Sequence, residues 1–177
     1  MAIYFNNGTD AQTRAAHIVN FASLSNNTRR SLSNSTSNNE LLLCDFGDYN
    51  KKESGSTLVI VGFVFGKNDS SAYVTFNLKA GATYDGSYIV QSGGTGSDYP
   101  SLTMTYGGAN NGMKHVLINT TISGHTTTGN SKIIATYRSA DGGGDRPFPL
   151  VNPNASDDGA LENGMQGSRI NIWEVLL

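Results

Sequence analysis

The sequence predicts an all-β domain, namely an antiparallel β-sandwich or jelly roll of about eight strands with a short N-terminal arm. Short runs of alternating apolar and polar residues recur along the chain, with glycine, Asn or Asp in nearly every gap between them. Charged residues make up only 15% of the chain, against 37% apolar residues and 21 glycines. Thr, Asn and Ser replace the strong helix formers, and this balance favours strands and turns.

Eight runs have strand character: residues 41–46, 57–65, 72–78, 87–92, 102–106, 115–124, 132–138 and 168–176. In the sixth run, Val116, Ile118 and Ile122 share one face and leave Thr and Asn on the other. The second run, TLVIVGFVF, is apolar throughout, so we expect it to be buried on both faces. Regularly spaced strands without interleaved helices indicate a sandwich.

The residues before the first of these runs have a different pattern. Four apolar residues recur at helical spacing: Ala15, Ile18, Val19 and Ala22. They predict two or three turns of amphipathic helix, or an irregular arm. Residues 25–39 contain one large apolar side chain, Leu32, which is typical of a linker or surface arm. We therefore divide the chain into an arm, 1–39, for attachment or inter-subunit contact, and a jelly-roll domain, 40–177.

The longest gap between predicted strands, residues 139–167, holds three of the four prolines. A loop of that length inside a compact domain is usually functional or part of an interface.

Charge and cysteine content exclude several classes of partner and site. The formal charge is −2 with no basic stripe, so a nucleic-acid partner is disfavoured. Cys44 is the single cysteine, which excludes an intrachain disulfide framework and a multi-cysteine metal site. The first residues lack a signal-peptide pattern, and no run of about 18 apolar residues occurs. We expect synthesis in a cytoplasm and no membrane insertion.

The sequence carries no nucleophile elbow, no zinc-protease histidine pair and no phosphate-binding loop, so we expect no enzyme and no cofactor. His17, His115 and His125 are far apart and indicate turn or surface histidines rather than a metal site. One alternative stays open: in a trimer, a single histidine facing the threefold axis would form a set of three that could bind an ion.

Acidic residues in the long loop are a second candidate for ion binding: Asp141, Asp145, Asp157 and Asp158. Carboxylates among backbone carbonyls suit calcium, but no calcium-loop spacing occurs. Solvated carboxylates, paired with Arg138 or Arg146, are the favoured interpretation, and we predict no metal.

Six tyrosines lie on predicted strands or turns among Asn, Thr and Asp: Tyr73, Tyr84, Tyr88, Tyr99, Tyr106 and Tyr137. Rings for stacking beside amides for hydrogen bonding are how sugar-binding surfaces are composed. The same rings are also ordinary core and interface material.

Residues 115–177 contain the run TTISGHTTTGNSKIIATYRSADGG, the loop NPNASDDG and the final GSRINIWEVLL. In these motifs the region resembles the terminal domains of bacteriophage virion proteins, especially marine and cyanobacterial ones. Such domains are similar to tumour-necrosis-factor-like jelly rolls, which assemble as threefold trimers. The resemblance thus implies a homotrimer on the virion surface, in contact with other capsid or tail proteins.

The resemblance leaves the place on the particle open. A start at Met1 without a heptad or collagen-like stretch favours a small capsid decoration or knob protein. A short tail-fibre or receptor-binding knob for host-surface carbohydrate is the alternative, and a lectin module or a polysaccharide hydrolase is more distant.

Two groups of residues follow from these hypotheses. The predicted oligomer interface consists of Trp173, Val175, Leu176 and Leu177, because apolar side chains at the C-terminus would otherwise be left in water. The predicted glycan or partner contacts are Tyr84, Tyr99, Asp141, Asp145 and Arg146.

Overall fold

The computed structural model describes residues 16–34, 41–68, 73–81, 89–90, 103–106, 112–139, 150–153 and 167–176. Its strands are β1 His17–Asn26, β2 Arg30–Ser31, β3 Leu41–Lys51, β4 Thr57–Asn68, β5 Tyr73–Gly81, β6 Ile89–Val90, β7 Thr103–Tyr106, β8 Gly112–Ile122, β9 Gly129–Ser139, β10 Leu150–Val151 and β11 Ser168–Leu176. All pairings among these strands are antiparallel, and the described residues contain no helix. The all-β prediction is confirmed.

The strands form two sheets. In the first sheet the order is β1-β11-β4-β10-β2, and β8 pairs with β4. In the second sheet the order is β3-β9-β5-β6, and β7 pairs with β5. Buried side chains of both sheets meet in one core that includes Ile60, Ile118, Ile172, Phe76 and Ile133. The arrangement is the predicted antiparallel sandwich and is compatible with a jelly roll.

Strand β4 lies at the centre of the first sheet; one of its faces is buried in the core, and the other is only partly covered. Leu58, Ile60 and Val64 point into the core and are fully buried. On the opposite face Phe65 is buried, Val59 and Phe63 are half-buried, and Val61 is 41% exposed. The expectation that this run is buried on both faces is therefore correct at Phe65 but wrong at Val61, where the continuous apolar sequence has the core on one side and an open apolar surface on the other.

Gly62 of β4 lies opposite Ile170 and against the backbone of β11. A Cβ atom at this position would collide with the backbone carbonyl oxygen of Arg169 and would lie 2.7 Å from the Cα of Ile170. Real Cβ atoms do not approach that closely, so glycine is required here by backbone contact.

The predicted helix near the N-terminus is wrong. Residues 17–26 form β1, which pairs with β11 over its full length. Ala22 and Leu24 point inward and pack against the core, whereas Phe21 and Ser23 are exposed. The segment forms a strand because it pairs with β11, and this tertiary contact outweighs the helical spacing of its apolar residues.

Residues 30–31 form β2, and Leu32, the one large apolar residue of the predicted linker, is buried in the core. Strand β1 and Leu32 thus belong to the same sandwich as the residues after 40. The role assigned to residues 1–39 in attachment or subunit contact stays a prediction. Of the predicted strand at 87–92 the structure describes Ile89–Val90, and the predicted long loop contains β10.

Candidate functional site

The outward-facing side chains of β1, β11, β4 and β8 form a surface that we call the outer face. The strand register places Phe21 beside Trp173, and Trp173 beside Val59. The rings of Phe21 and Trp173 lie 5.5 Å apart at 47°, a tilted aromatic contact. Phe21 is 52% exposed, and Ile18, one pleat away beside Val175, is 61% exposed. This end of the outer face is therefore an aromatic and aliphatic surface open to solvent.

The apolar surface continues onto β4 and β8. Val61 is 41% exposed and Leu117 is 68% exposed. Leu117 aligns with Phe63, and the guanidinium carbon of Arg169 lies 5.2 Å from the centre of the Phe63 ring. His115 contacts the same ring edge-on at 4.7 Å. The outer face thus spans four adjacent strands.

The outer face carries very little charge. Among the described outward-facing side chains between the row of Val175 and the row of Phe63, Arg169 is the one that is charged. The polar positions in this region are Ser23, Ser25, Thr57, Asn119, Thr121 and Asn171. A contiguous, weakly charged apolar surface marks a protein contact site more often than a solvent boundary.

The residues predicted for an interface lie partly on this surface. Trp173 and Val175 are on the outer face and are half-buried, and Leu176 is half-buried at the end of β11. Their role as an interface stays a prediction. Leu177 lies outside the described residues. So do the candidates for glycan, partner or ion contact: Tyr84, Tyr99, Asp141, Asp145, Arg146, Asp157 and Asp158.

Sequence patterns did not identify Phe21, Val61 or Leu117 as part of one surface. The signal that could have found them is the register of β1, β11, β4 and β8, because each of these residues alone is unremarkable in its strand.

The inward side of β11 ends in a buried carboxylate, the centre of what we call the charged cluster. Glu174 is fully buried and accepts hydrogen bonds from the Tyr49 hydroxyl at 2.9 Å and the Ser56 hydroxyl at 2.7 Å. It also accepts the backbone amides of Lys52 at 3.0 Å and Glu53 at 2.7 Å. Burial alone would raise the pKa of Glu174, but these four donors together lower it below its usual value of 4.5.

Lys51 completes the charge balance of this cluster. Its ammonium donates to the Ser56 hydroxyl at 2.7 Å and to the carbonyl of Glu53, and the side chain is 1% exposed. Burial lowers the pKa of Lys51, and the neighbouring carboxylates, first that of Glu174, oppose this shift. The Lys51 and Glu174 charges are therefore bridged through Ser56 rather than in direct contact.

His125 is buried close to the charged cluster, in the turn between β8 and β9. Its Nε2 lies 2.7 Å from the Ser131 hydroxyl, and within the described part of the chain its buried Nδ1 has no hydrogen-bond partner. Burial, and then the charge of Lys51, lower the pKa of His125. The sequence predicted a turn or surface histidine; the turn is correct, but the side chain is 2% exposed.

The proximity of Ser56 and Lys51 resembles a nucleophile beside a base, but access decides against chemistry. Ser56 is 2% exposed, and its single hydroxyl proton is shared between Glu174 and the carbonyl of Glu53, each at 2.7 Å. A nucleophile needs to reach a substrate atom at about 3 Å, and this hydroxyl is enclosed by its own hydrogen-bond partners. The charged cluster ties the β3-β4 turn to β11.

The opposite end of β11 holds a second cluster, the neutral cluster, centred on Asn152. Asn152 is 2% exposed and has φ 49°, a left-handed conformation in which Asn is tolerated. Its amide oxygen accepts the Ser168 amide at 2.9 Å and hydroxyl at 2.6 Å, and its backbone amide donates to Phe65 at 2.9 Å. Its side-chain nitrogen donates to Asn26 at 3.2 Å and to the carbonyl of Thr28 at 3.1 Å.

An open cavity of about 230 Å³ adjoins the neutral cluster and is lined in part by Arg30, Cys44 and Asn152. It is smaller than the roughly 300–1,000 Å³ of typical ligand pockets. Burial raises the pKa of Cys44 to about 12, so its thiol is protonated and unreactive. The cavity therefore offers no reactive thiol.

Among the described residues, no group of three or more His, Cys, Asp and Glu side chains is arranged to hold a metal ion. Nor does that part of the chain contain a helix long and apolar enough to cross a membrane.

No protein-family model matches the chain, and no curated protein matches it. Among solved structures, it overlaps a chain of the infectious bursal disease virus particle with a TM-score of 0.46 and 10% identity, covering 98% of this chain and 39% of that one. For a structure of the Gx strain of the same virus the TM-score is 0.43 and the identity 13%, covering 99% of this chain and 45% of that one. For a mutant VP2 protein from derived T=1 particles the TM-score is 0.40 and the identity 12%, covering 98% of this chain and 40% of that one. The chain thus spans less than half the length of each. At these TM-scores and identities the overlaps establish neither a shared fold nor a shared function.

Proposed function

We propose that this chain is a non-enzymatic structural protein of a virus particle, which assembles through its outer face with copies of itself or with other virion proteins. The observation that carries the assembly proposal is the outer face, where Ile18, Phe21, Val61 and Leu117 are each more than 40% exposed on adjoining strands. The virion proposal rests on the resemblance over residues 115–177.

The physical argument for assembly is the cost of leaving this surface in water. Burying apolar surface yields about 25 cal/mol per Å², and Phe21 and Trp173 are among the residue types that dominate interface energetics. Because Arg169 is the one charge in the described central region, a partner needs to match or avoid this single guanidinium, and few other charged groups there would lose hydration.

The proposal that the protein is not an enzyme is supported by the enclosed charged cluster. Its potential nucleophile, Ser56, and its potential acid or base groups, Lys51 and Glu174, are all at most 2% exposed. Their hydrogen bonds are directed at one another and at the β3-β4 turn.

At finer detail, we propose a trimeric bacteriophage capsid decoration or knob protein, with Trp173, Val175, Leu176 and Leu177 at or near the subunit interface. Residues 1–39 would contribute to attachment. The trimer itself rests on the resemblance to tumour-necrosis-factor-like domains.

The test is a charge placed in the outer face. Leu117→Lys changes a side chain that is 68% exposed, so the folding free energy should change by less than about 0.5 kcal/mol. Assembly should weaken, because each subunit would then bring an unpaired ammonium into an apolar contact. Light scattering across a concentration series, with capsid binding as a second readout, measures this.

The matched control is Thr127→Lys, an exposed position in the turn between β8 and β9. It adds the same charge away from the outer face and should leave assembly unchanged. If wild-type protein is a monomer at all concentrations and does not bind capsids, the assembly proposal is wrong.

The alternative role is a tail-fibre or receptor-binding knob that contacts host glycan through Tyr84, Tyr99, Asp141, Asp145 and Arg146. Tyrosines among Asn, Thr and Asp favour it. Glycan-array binding that is lost in Tyr84→Ala and Tyr99→Ala variants would support this role, whereas capsid binding lost on deletion of residues 1–39 would support decoration.

A further inference from the structure

Strand β1 forms an edge of the first sheet. Within the described residues it pairs with β11 on one side and with no strand on the other. The amide of Phe21 donates to the side-chain oxygen of Asn20 at 3.0 Å, as an amide that points away from β11 does. Because peptide groups alternate in direction along an antiparallel ladder, those of Ser23 and Ser25 point to the same free side.

Apart from the Asn20 side chain, which accepts the Phe21 amide, this edge lacks the devices that usually protect a free strand. Residues 18–27 contain no charged residue, no proline and no glycine. Edge strands are normally blocked by such residues or by bulges, because unpaired peptide groups recruit another chain. The one bulge of β1, between Ile18 and Asn20, lies at its start and leaves residues 20–26 regular.

The edge strand of the second sheet shows the contrast. The register of β3 is interrupted twice, between Leu42 and Cys44 and between Asp45 and Gly47. It also carries charges, and Asp45 forms an ion pair with Lys132 at 2.9 Å. Strand β3 is therefore protected by the means that β1 lacks.

Strand β1 is also held in place for a partner. The side-chain amide of Asn20 donates to the carbonyl of Asn50 at 2.9 Å, and that of Asn26 donates to the carbonyl of Asp45 at 2.5 Å. Both ends are thereby tied to β3, so pairing needs little further ordering. Between these ties, Leu24 packs against the core but remains only partly buried, which leaves apolar surface at the edge.

We infer that β1 pairs with β1 of a second copy of this chain, antiparallel, about a twofold axis at Ser23. An antiparallel pair of identical strands is self-complementary, since each presents the same peptide groups in reverse order. Ser23 is the midpoint of the regular segment 20–26. In this register Ala22 faces Leu24 of the second copy, and Phe21 faces Ser25 of the second copy, so small residues oppose large ones and no like charges meet.

This edge contact extends the first sheet across two subunits and is separate from contact through the outer face. It requires neither the virion role nor the trimer. Ser23 would lie opposite its own copy, at a Cα separation of about 5.5 Å, within the roughly 4.4–6.8 Å that a disulfide spans. The two Ser25 residues would lie four residues apart along the pair, at about 13 Å, which is too far to bridge.

Cross-linking distinguishes these positions. Under mild oxidation, Ser23→Cys in the full chain should form a disulfide-linked dimer at least about tenfold faster than Ser25→Cys, because pairing raises the effective concentration of its thiols. Cys44 is buried with a protonated thiol and should contribute no background. Equal rates for the two variants, or no dimer with Ser23→Cys, would overturn the twofold register.

Proline substitution tests the direction of the edge. Ser23→Pro removes an amide that faces solvent in the single subunit, so the variant should fold but lose the edge contact, seen as a smaller assembly by light scattering. Ala22→Pro removes an amide that faces β11 and should unfold the protein. A Ser23→Pro variant that fails to fold, or that assembles like wild type, contradicts the proposal.

The outer-face variant separates the two contacts. Leu117→Lys should leave Ser23→Cys cross-linking intact, because Leu117 lies on β8, which is separated from β1 by β11 and β4. If Leu117→Lys weakens assembly while Ser23→Cys does not cross-link, the edge proposal fails and the proposed function stands.

Discussion

The two ends of β11 are both held by buried polar clusters, but only one of them is charged. At the Glu174 end, a carboxylate receives four donors and is balanced by Lys51 through Ser56. At the Ser168 end, Asn152 joins its neighbours through amide and hydroxyl groups that do not titrate. The same structural task, anchoring a strand end to distant segments, is thus performed once with charges and once without, and only the first should respond to pH.

Loss of the carboxylate should have the largest effect. Glu174→Ala leaves the Tyr49 and Ser56 hydroxyls and two backbone amides without their acceptor, and it leaves the Lys51 charge buried and unbalanced. We expect the free energy of unfolding to fall by about 3–5 kcal/mol. Urea denaturation followed by circular dichroism measures this.

Glu174→Gln is the control, because it keeps the volume and one acceptor oxygen. It should cost less than Glu174→Ala. Equal stability of wild type and Glu174→Ala would mean that the charged cluster does not anchor β11.

Loss of the Asn152 side chain from the neutral cluster should lower the free energy of unfolding by less. Asn152→Ala removes the acceptor of Ser168 and keeps a side chain in the left-handed conformation, so we expect a loss of about 2–4 kcal/mol. Asn152→Gly removes the same hydrogen bonds but adopts φ 49° freely, so it should be more stable than Asn152→Ala by about 1 kcal/mol. Thermal unfolding of both variants tests whether hydrogen bonds or backbone conformation dominate at this end.

Acidification should have the smallest effect near neutrality and should act on the charged end alone. His125 has a lowered pKa in the folded state, so the unfolded chain takes up its proton first, and stability falls as pH drops below about 6.5. The pKa of Glu174 is also lowered, so its contribution is complete above about 4.5 and is lost as pH falls further. Unfolding midpoints between pH 8 and pH 3 should show both regions.

Two variants locate this dependence. His125→Gln should remove the part that begins near pH 6.5, whereas Asn152→Ala should lower stability by the same amount at every pH. A change in pH slope on Asn152→Ala would contradict the assignment of titration to one end.

The fold class followed from the sequence because alternation is local. Val116, Ile118 and Ile122 point inward, as the pattern of β8 indicated. Strand β1 was not predicted because Ile18, Val19 and Ala22 fit helical spacing. The segment is a strand because it pairs with β11, a contact that is distant in sequence.

The clusters and the outer face could not be read from the sequence. Tyr49 and Glu174 are 125 residues apart, and nothing local marks either as a partner of the other. On its own strand face Leu117 has Asn119 and Thr121 as its next neighbours, and only the strand register shows that it lies beside Phe63. Long-range pairing, which local patterns do not encode, decides which side chains meet.

Gly62 has a consequence for how the sequence of this sandwich can change. At that position Ile170 rests directly on the peptide backbone of β4, and even one added methyl group has nowhere to go. The neighbouring Val61, on the outer side of the same strand, is 41% exposed and free to vary in size. In a saturation library, adjacent codons should therefore show opposite behaviour: near-total intolerance at residue 62 and broad acceptance, as far as folding is concerned, at residue 61.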